Sequence, residues 1–195
     1  MQEKNHFALK EWAIILEALS EGRQVLLLRK GGLLEKNARF KVEHTEFFIY
    51  PTYLHQQRRG IVLAWTAKLE HLMAAPPPEG EVILSHYVVV KKMFKITDPD
   101  RVQTLSDFHV LNNEEIQKRF FYGRVPGLRL ILARVYQLPK PFRIPIRPSY
   151  AGCRSWVDLG QDLPTSGCRP VLDDAAYERE ARRISECISP SGQSP

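Results

Sequence analysis

The sequence predicts an α+β fold: a curved mixed β-sheet with flanking helices. Strand-like segments outnumber helical ones. The helices and loops between them follow no regular βαβ alternation, which argues against a doubly wound parallel sheet. The length of 195 residues suffices for one hydrophobic core.

Residues 8–21 read as an amphipathic helix, with Ala8, Leu9, Trp12, Ile15, Leu16 and Leu19 at three- and four-residue spacing and Gly22 as its stop. "RQVLLLRKGG" follows as a buried-type strand, Val25 to Leu28, ending at Arg29, Lys30 and a glycine turn. "ARFKVEHTEFFIYPTY" reads as one long strand or a bent pair. Residues 61–73 give a second amphipathic helix, closed by the proline run "AAPPPEG". "EVILSHYVVVKKMFKI" is the strongest strand signal, rich in β-branched and aromatic residues and long enough for a bent strand or a hairpin. "NNEEIQKRFFYG" has an Asn cap, two early glutamates and Gly123 at its end, hence a short helix. "LRLILARVYQL" is the next strand.

Beyond it, Pro139, Pro141, Pro145 and Pro148 predict an extended surface path with Tyr150 and Trp156 as anchors, because proline cannot donate to a central ladder. These readings give one globular domain over 1–160, a linker and polar helix over 161–188, and a disordered tail over 189–195.

Three cysteines, Cys153, Cys168 and Cys187, with no CxxC pair, argue against a disulfide framework and for a reducing, cytoplasmic setting. The first apolar run carries acids throughout, so it reads neither as a signal peptide nor as a membrane span. The net charge is +6, and its distribution is uneven. Between Glu115 and Asp158 stands no acidic residue, while Lys118, Arg119, Arg124, Arg129, Arg134, Lys140, Arg143, Arg147 and Arg154 supply nine cations. Such a segment either pairs with acids elsewhere, among them Glu43, Glu46, Glu81 and Glu114, or faces a polyanion.

Aromatics interleave this strip. Phe120, Phe121 and Tyr136 fall inside expected elements and read as core, whereas Tyr150 and Trp156 are the candidates for stacking on unpaired bases. "RKGGL" places Arg29 and Lys30 beside two glycines, which suits either an anion site or a plain turn. In "FIYPTYLHQQRRG" a strand runs into hydrogen-bonding groups: Tyr50, Thr52, His55 and Gln56. With His44 these are expected to line a cleft in which His44 or His55 serves binding, acid–base chemistry or structure.

No third ligand at a telling spacing supports a metal, and nothing calls for a cofactor. No acid stands two residues before a lysine as a carboxylate-core nuclease requires, and GxSxG is absent, so catalysis is the minority reading.

"ALKEWA", "QVLLLRKGG", "VEH", "PTYLHQ" and "YAGCRSWVDL" resemble the bacterial family catalogued as domain of unknown function 1802, across most of residues 8–160. That family carries no established activity and therefore implies no catalytic residue. The layout is also similar to small β-barrels of the PUA, ASCH and EVE type, a likeness that implies a PUA-like fold with an RNA- or nucleotide-binding cleft between barrel and helices.

The expectation is a nucleic-acid-binding module, for single-stranded or modified-base RNA or DNA. Its contacts would be Arg29, Lys30, Tyr50, Thr52, His55, Gln56, Arg143, Arg147, Tyr150, Arg154 and Trp156. Two alternatives stay open: an enzyme on a nucleotide-like substrate using His44 or His55, and a protein-interaction module with an acidic partner.

Overall fold

A computed structural model of the chain describes residues 1–30, 44–53, 56, 58–152 and 155–188. Seven strands form one open, curved sheet: β1 (Lys4–Trp12), β2 (Leu26–Arg29), β3 (Glu46–Thr52), β4 (Glu81–Ile96), β5 (Leu128–Pro145), β6 (Trp156–Pro164) and β7 (Arg169–Pro170). The order is β2-β5-β4-β3-β1-β6, with β7 also on β5. β1 and β3 run parallel and every other pair is antiparallel, so the sheet is mixed. Among the described residues five helices flank it: α1 (Ala13–Ser20), α2 (Thr66–Ala74), α3 (Pro99–Gln103), α4 (Asn113–Phe121) and α5 (Asp174–Ile188).

The expected first helix is half strand. Residues 4–12 lie between β3 and β6, where Ala8 faces one side and Leu9 the other, both fully buried. A strand buried on both faces loses its period of two, so its apolar residues mimic helical spacing. The helix starts only at Ala13.

β4 and β5 are long enough to bend, and bulges do the bending. Opposite Ser85 of β4, β5 carries the four residues from Leu138 to Pro141. Across this irregularity Val82, Leu84 and Tyr87 join one apolar cluster. Pro139 and Pro141 sit in this bulge, where no ladder donor is needed, and the strand continues to Pro145 against Glu81. The proline-rich stretch is therefore strand and not surface path until Pro145.

The two faces carry two apolar clusters. One packs the helices, with Ile14, Leu19, Leu69, Phe120 and Ile184 against Leu9, Phe47 and Leu130. The other holds Phe48, Tyr87, Leu84, Ile144, Tyr150 and Leu159, supplied by the curling ends of β4 and β5 and by the segment that leads into β6.

The boundary expected at residue 160 falls inside β6, which pairs with β1 from Trp156 to Pro164. The last helix is also tied in: Tyr177, Ala181, Ile184 and Ile188 join the larger cluster. Buried Arg134 donates to the Asp173 carbonyl at 3.1 Å and to Asp174 Oδ1 at 2.7 Å, under the ring of Tyr177. The expected tail over 189–195 lies outside the described residues, and among those described no helix is long and apolar enough to cross a membrane.

Candidate nucleic-acid interface

Four segments meet at the C-terminal end of β1. Consecutive side chains leave a strand on opposite faces, so Lys10 and Glu11 enter different surroundings. On the helix-covered face, Glu11 accepts from Arg29 Nη1 at 2.8 Å and from the Trp12 N–H at 2.9 Å. Arg29 Nη1 also donates to the Lys10 carbonyl at 3.0 Å, and the Thr52 hydroxyl donates to the Glu11 carbonyl at 3.1 Å. Gln56 Oε1 accepts the Ile14 N–H at 3.2 Å, meeting one of the open donors of the first turn of α1. Its amide nitrogen contacts Met73 Sδ.

On the other face, Lys10 Nζ donates to the carbonyls of Tyr150 and Gly152 and lies 5.9 Å from the Tyr50 ring centroid. The Tyr50 and Tyr150 rings meet edge to face, and the Tyr150 hydroxyl donates to the Leu159 carbonyl at 3.0 Å. Burial, and then the neighbouring Tyr150, push the Tyr50 hydroxyl above its ordinary pKa.

The residues expected in one cleft are thus brought to one end of the sheet but divided by it. Arg29 and Gln56 lie with Glu11, while Tyr50 and Tyr150 lie with Lys10; Thr52 touches the strand end itself. Tyr150 is 3 % exposed, which removes its ring from any stacking role. Lys30 Nζ donates to three carbonyls, those of Phe120, Val125 and Gly127, and burial lowers its pKa. Trp156 is half-buried and edge-on to both Phe47 and His44. His44 stacks on Phe7 at 3.5 Å, farther back along β1. His55 and Arg154 lie outside the described residues, as do Gly31 and Gly32. Glu11 was not among the sequence candidates; one acid within an apparent amphipathic helix reads as solvated.

The acid-free segment divides in two. Arg119 pairs with Glu115 at 2.9 Å and covers the Trp12 ring, Arg134 pairs with Asp174, and Arg143 approaches Glu81 at 3.4 Å. The guanidinium of Arg147 lies against Gly160, which has a positive φ of 65° and no side chain to obstruct it. Arg124, Arg129 and Lys140 form no ion pair among the described residues, and Lys118 is 74 % exposed with Glu115 only at 4.0 Å.

The aromatics sort differently from expectation. Phe120 is core, but Phe121 and Tyr122 are 54 % and 49 % exposed. They stand where α4 gives way to the loop before β5, between Lys118 and Arg124. α4 is fixed at its start by Asn112, whose side chain accepts the Glu115 N–H at 3.0 Å. The loop closes around the Lys30 ammonium, and Gly127 N–H returns to the Phe120 carbonyl at 2.9 Å. Next to it, Arg129 stands directly opposite Lys95 on β4 and opposite Arg29 on β2. Like charges in that register repel; Glu11 compensates Arg29. Among the described residues no group of three His, Cys, Asp or Glu is placed to hold a metal.

The chain belongs to the family described as domain of unknown function DUF1802, whose model matches residues 8–183. Among solved structures it is similar to the ASCH protein of Zymomonas mobilis, at 12 % identity over 90 % of this chain and 93 % of that one, with a TM-score of 0.44. Two substituted forms of that protein give TM-scores of 0.43 and 0.42, at 12 % and 11 % identity. They cover 93 % and 90 % of this chain and 98 % and 96 % of their own. No curated protein matches the chain.

Proposed function

We propose that this protein binds single-stranded nucleic acid along the loop between α4 and β5. The observation that carries this reading is the pair of half-exposed rings, Phe121 and Tyr122, held between Lys118 and Arg124 in a segment without carboxylates. Exposed rings stack on unpaired bases whatever their sequence, and the cations neutralise the phosphates between them. Lys95 and Arg129 extend the positive surface along β4 and β5, where a polyanion relieves their mutual repulsion. Because the loop is closed on Lys30 and on Gly127, little ordering is left to occur on binding.

Fluorescence anisotropy with labelled single-stranded RNA and DNA oligomers and with duplexes, at 50 and 200 mM salt, tests this. Single strands bind in preference to duplexes, with affinity falling steeply as salt rises. Phe121→Ala and Tyr122→Ala each lose about 1–3 kcal/mol per stacked base, or about 5- to 150-fold. Lys118→Ala and Arg124→Ala each lower the salt slope by about one. Tyr150→Phe, in the core, binds like the parent protein. No binding at 50 mM salt, or full binding after both rings are removed, overturns the proposal.

A further inference from the structure

Toward the N-terminal end of β1 lies a cleft of different chemistry. Its volume is about 340 Å³, within the range of small-ligand sites, and Lys4, Asn5, His6, Phe7, His44, Glu46 and Asp162 contribute to its lining. A sheet irregularity opens it. Asn5 pairs with Leu163 and Phe7 with Asp158, so four residues of β6 stand opposite His6 alone. Gly160, in the left-handed region, lets β6 arch outward. Bulges of this kind re-aim side chains beside functional sites.

Here the arch delivers Asp162 to His6, with Nδ1 and Oδ1 3.0 Å apart and the side chains 41 % and 60 % exposed. One wall is built of flat rings: His6 lies 4.1 Å from Phe7, and Phe7 stacks on His44. The floor is rigid, because buried Asn5 shares its two amide N–H groups among Gln2 Oε1, the Glu46 carbonyl and the Tyr87 hydroxyl oxygen, at 3.0, 2.8 and 2.9 Å.

We propose that this cleft binds a planar base with two adjacent N–H donors, a guanine-type nucleobase. Glu46 is already engaged, accepting from the Gln2 N–H and the Tyr87 hydroxyl and paired with the Met1 ammonium, which leaves Asp162 as the carboxylate open to ligand N–H groups. The edge of guanine offers N1–H and the amino group side by side, matching the two oxygens of one carboxylate, and charge assistance strengthens both bonds. Adenine and cytosine present an acceptor beside a donor, and uracil has acceptors flanking its N–H, so each places a lone pair against Asp162. His6 acts as a positioning residue that orients the carboxylate, and its own ring, 41 % exposed, supplies the stacking face, since Phe7 is already stacked on His44. The site stands independently of the loop between α4 and β5.

Isothermal titration of the full chain with guanosine, inosine, adenosine, cytidine and uridine tests this. Guanosine binds most tightly, inosine (which lacks the amino group) more weakly, and the other three least. Asp162→Asn lowers guanosine affinity at least tenfold while the thermal melt stays unchanged, as befits an exposed residue. Phe121→Ala leaves guanosine binding intact even if it abolishes oligomer binding, which separates the two sites. Absence of saturable guanosine binding at millimolar concentration overturns the inference, as does equal affinity for adenosine or an unchanged affinity in Asp162→Asn.

Discussion

Replacing Arg29 with Met probes the ion pair at the end of β1. Arg29 is 13 % exposed and Glu11 only 3 %, so the substitution strands a carboxylate in the interior. Removing one partner of a buried pair costs about 3–5 kcal/mol. The Trp12 N–H still donates to the carboxylate in the variant, so a penalty of about 3 kcal/mol is expected at pH 7.

The double variant Arg29→Met, Glu11→Leu replaces both charges with apolar groups and costs less than Arg29→Met alone. Urea unfolding followed by circular dichroism, on parent, both singles and the double at pH 7, gives every term. A double equal to the sum of the singles, or one that costs as much as Arg29→Met alone, refutes the reasoning.

Acid stability is set first by two buried histidines. Burial lowers His86 and His109 to about 4, so the unfolded chain takes up their protons first. Stability is complete above about pH 6.5 and is lost as pH falls toward 4; by pH 5 each contributes a loss of about 2 kcal/mol. Urea midpoints between pH 7 and 5 measure it, and a flat profile contradicts it. Gly127→Ala destabilises by about 1–3 kcal/mol, since the new Cβ would lie 2.8 Å from the Ile96 carbonyl oxygen at a φ of 132°. A thermal melt unchanged from the parent removes the role assigned to that glycine.

How far the sequence foretells the molecule varies by element. "EVILSHYVVVKKMFKI" is β4 from end to end, and Asn112 caps α4 as its spacing indicates. β1 is hidden because burial on both faces erases alternation, and β5 outruns its prolines because a bulge and an open edge excuse them. At the candidate interface, charge is legible and pairing is not. Whether Arg134 faces solvent or Asp174 depends on the last helix folding back over β5. The rings divide: the i, i+4 spacing from Ile116 sets Phe120 rather than Phe121 on the buried face of α4, but nothing local marks Tyr150 as a core residue bonded to Leu159.

The strand order has a consequence for synthesis. Leu9 meets Trp156 in the finished sheet, so β1 emerges from the ribosome long before its edge partner exists. At about 5–20 residues per second that interval is roughly 7–30 s. Throughout it one strand with two apolar faces has at most its parallel neighbour β3 for company. Nascent chains are thus the vulnerable population, and slower translation of the last third lengthens their exposure to aggregation without altering the stability of the released protein.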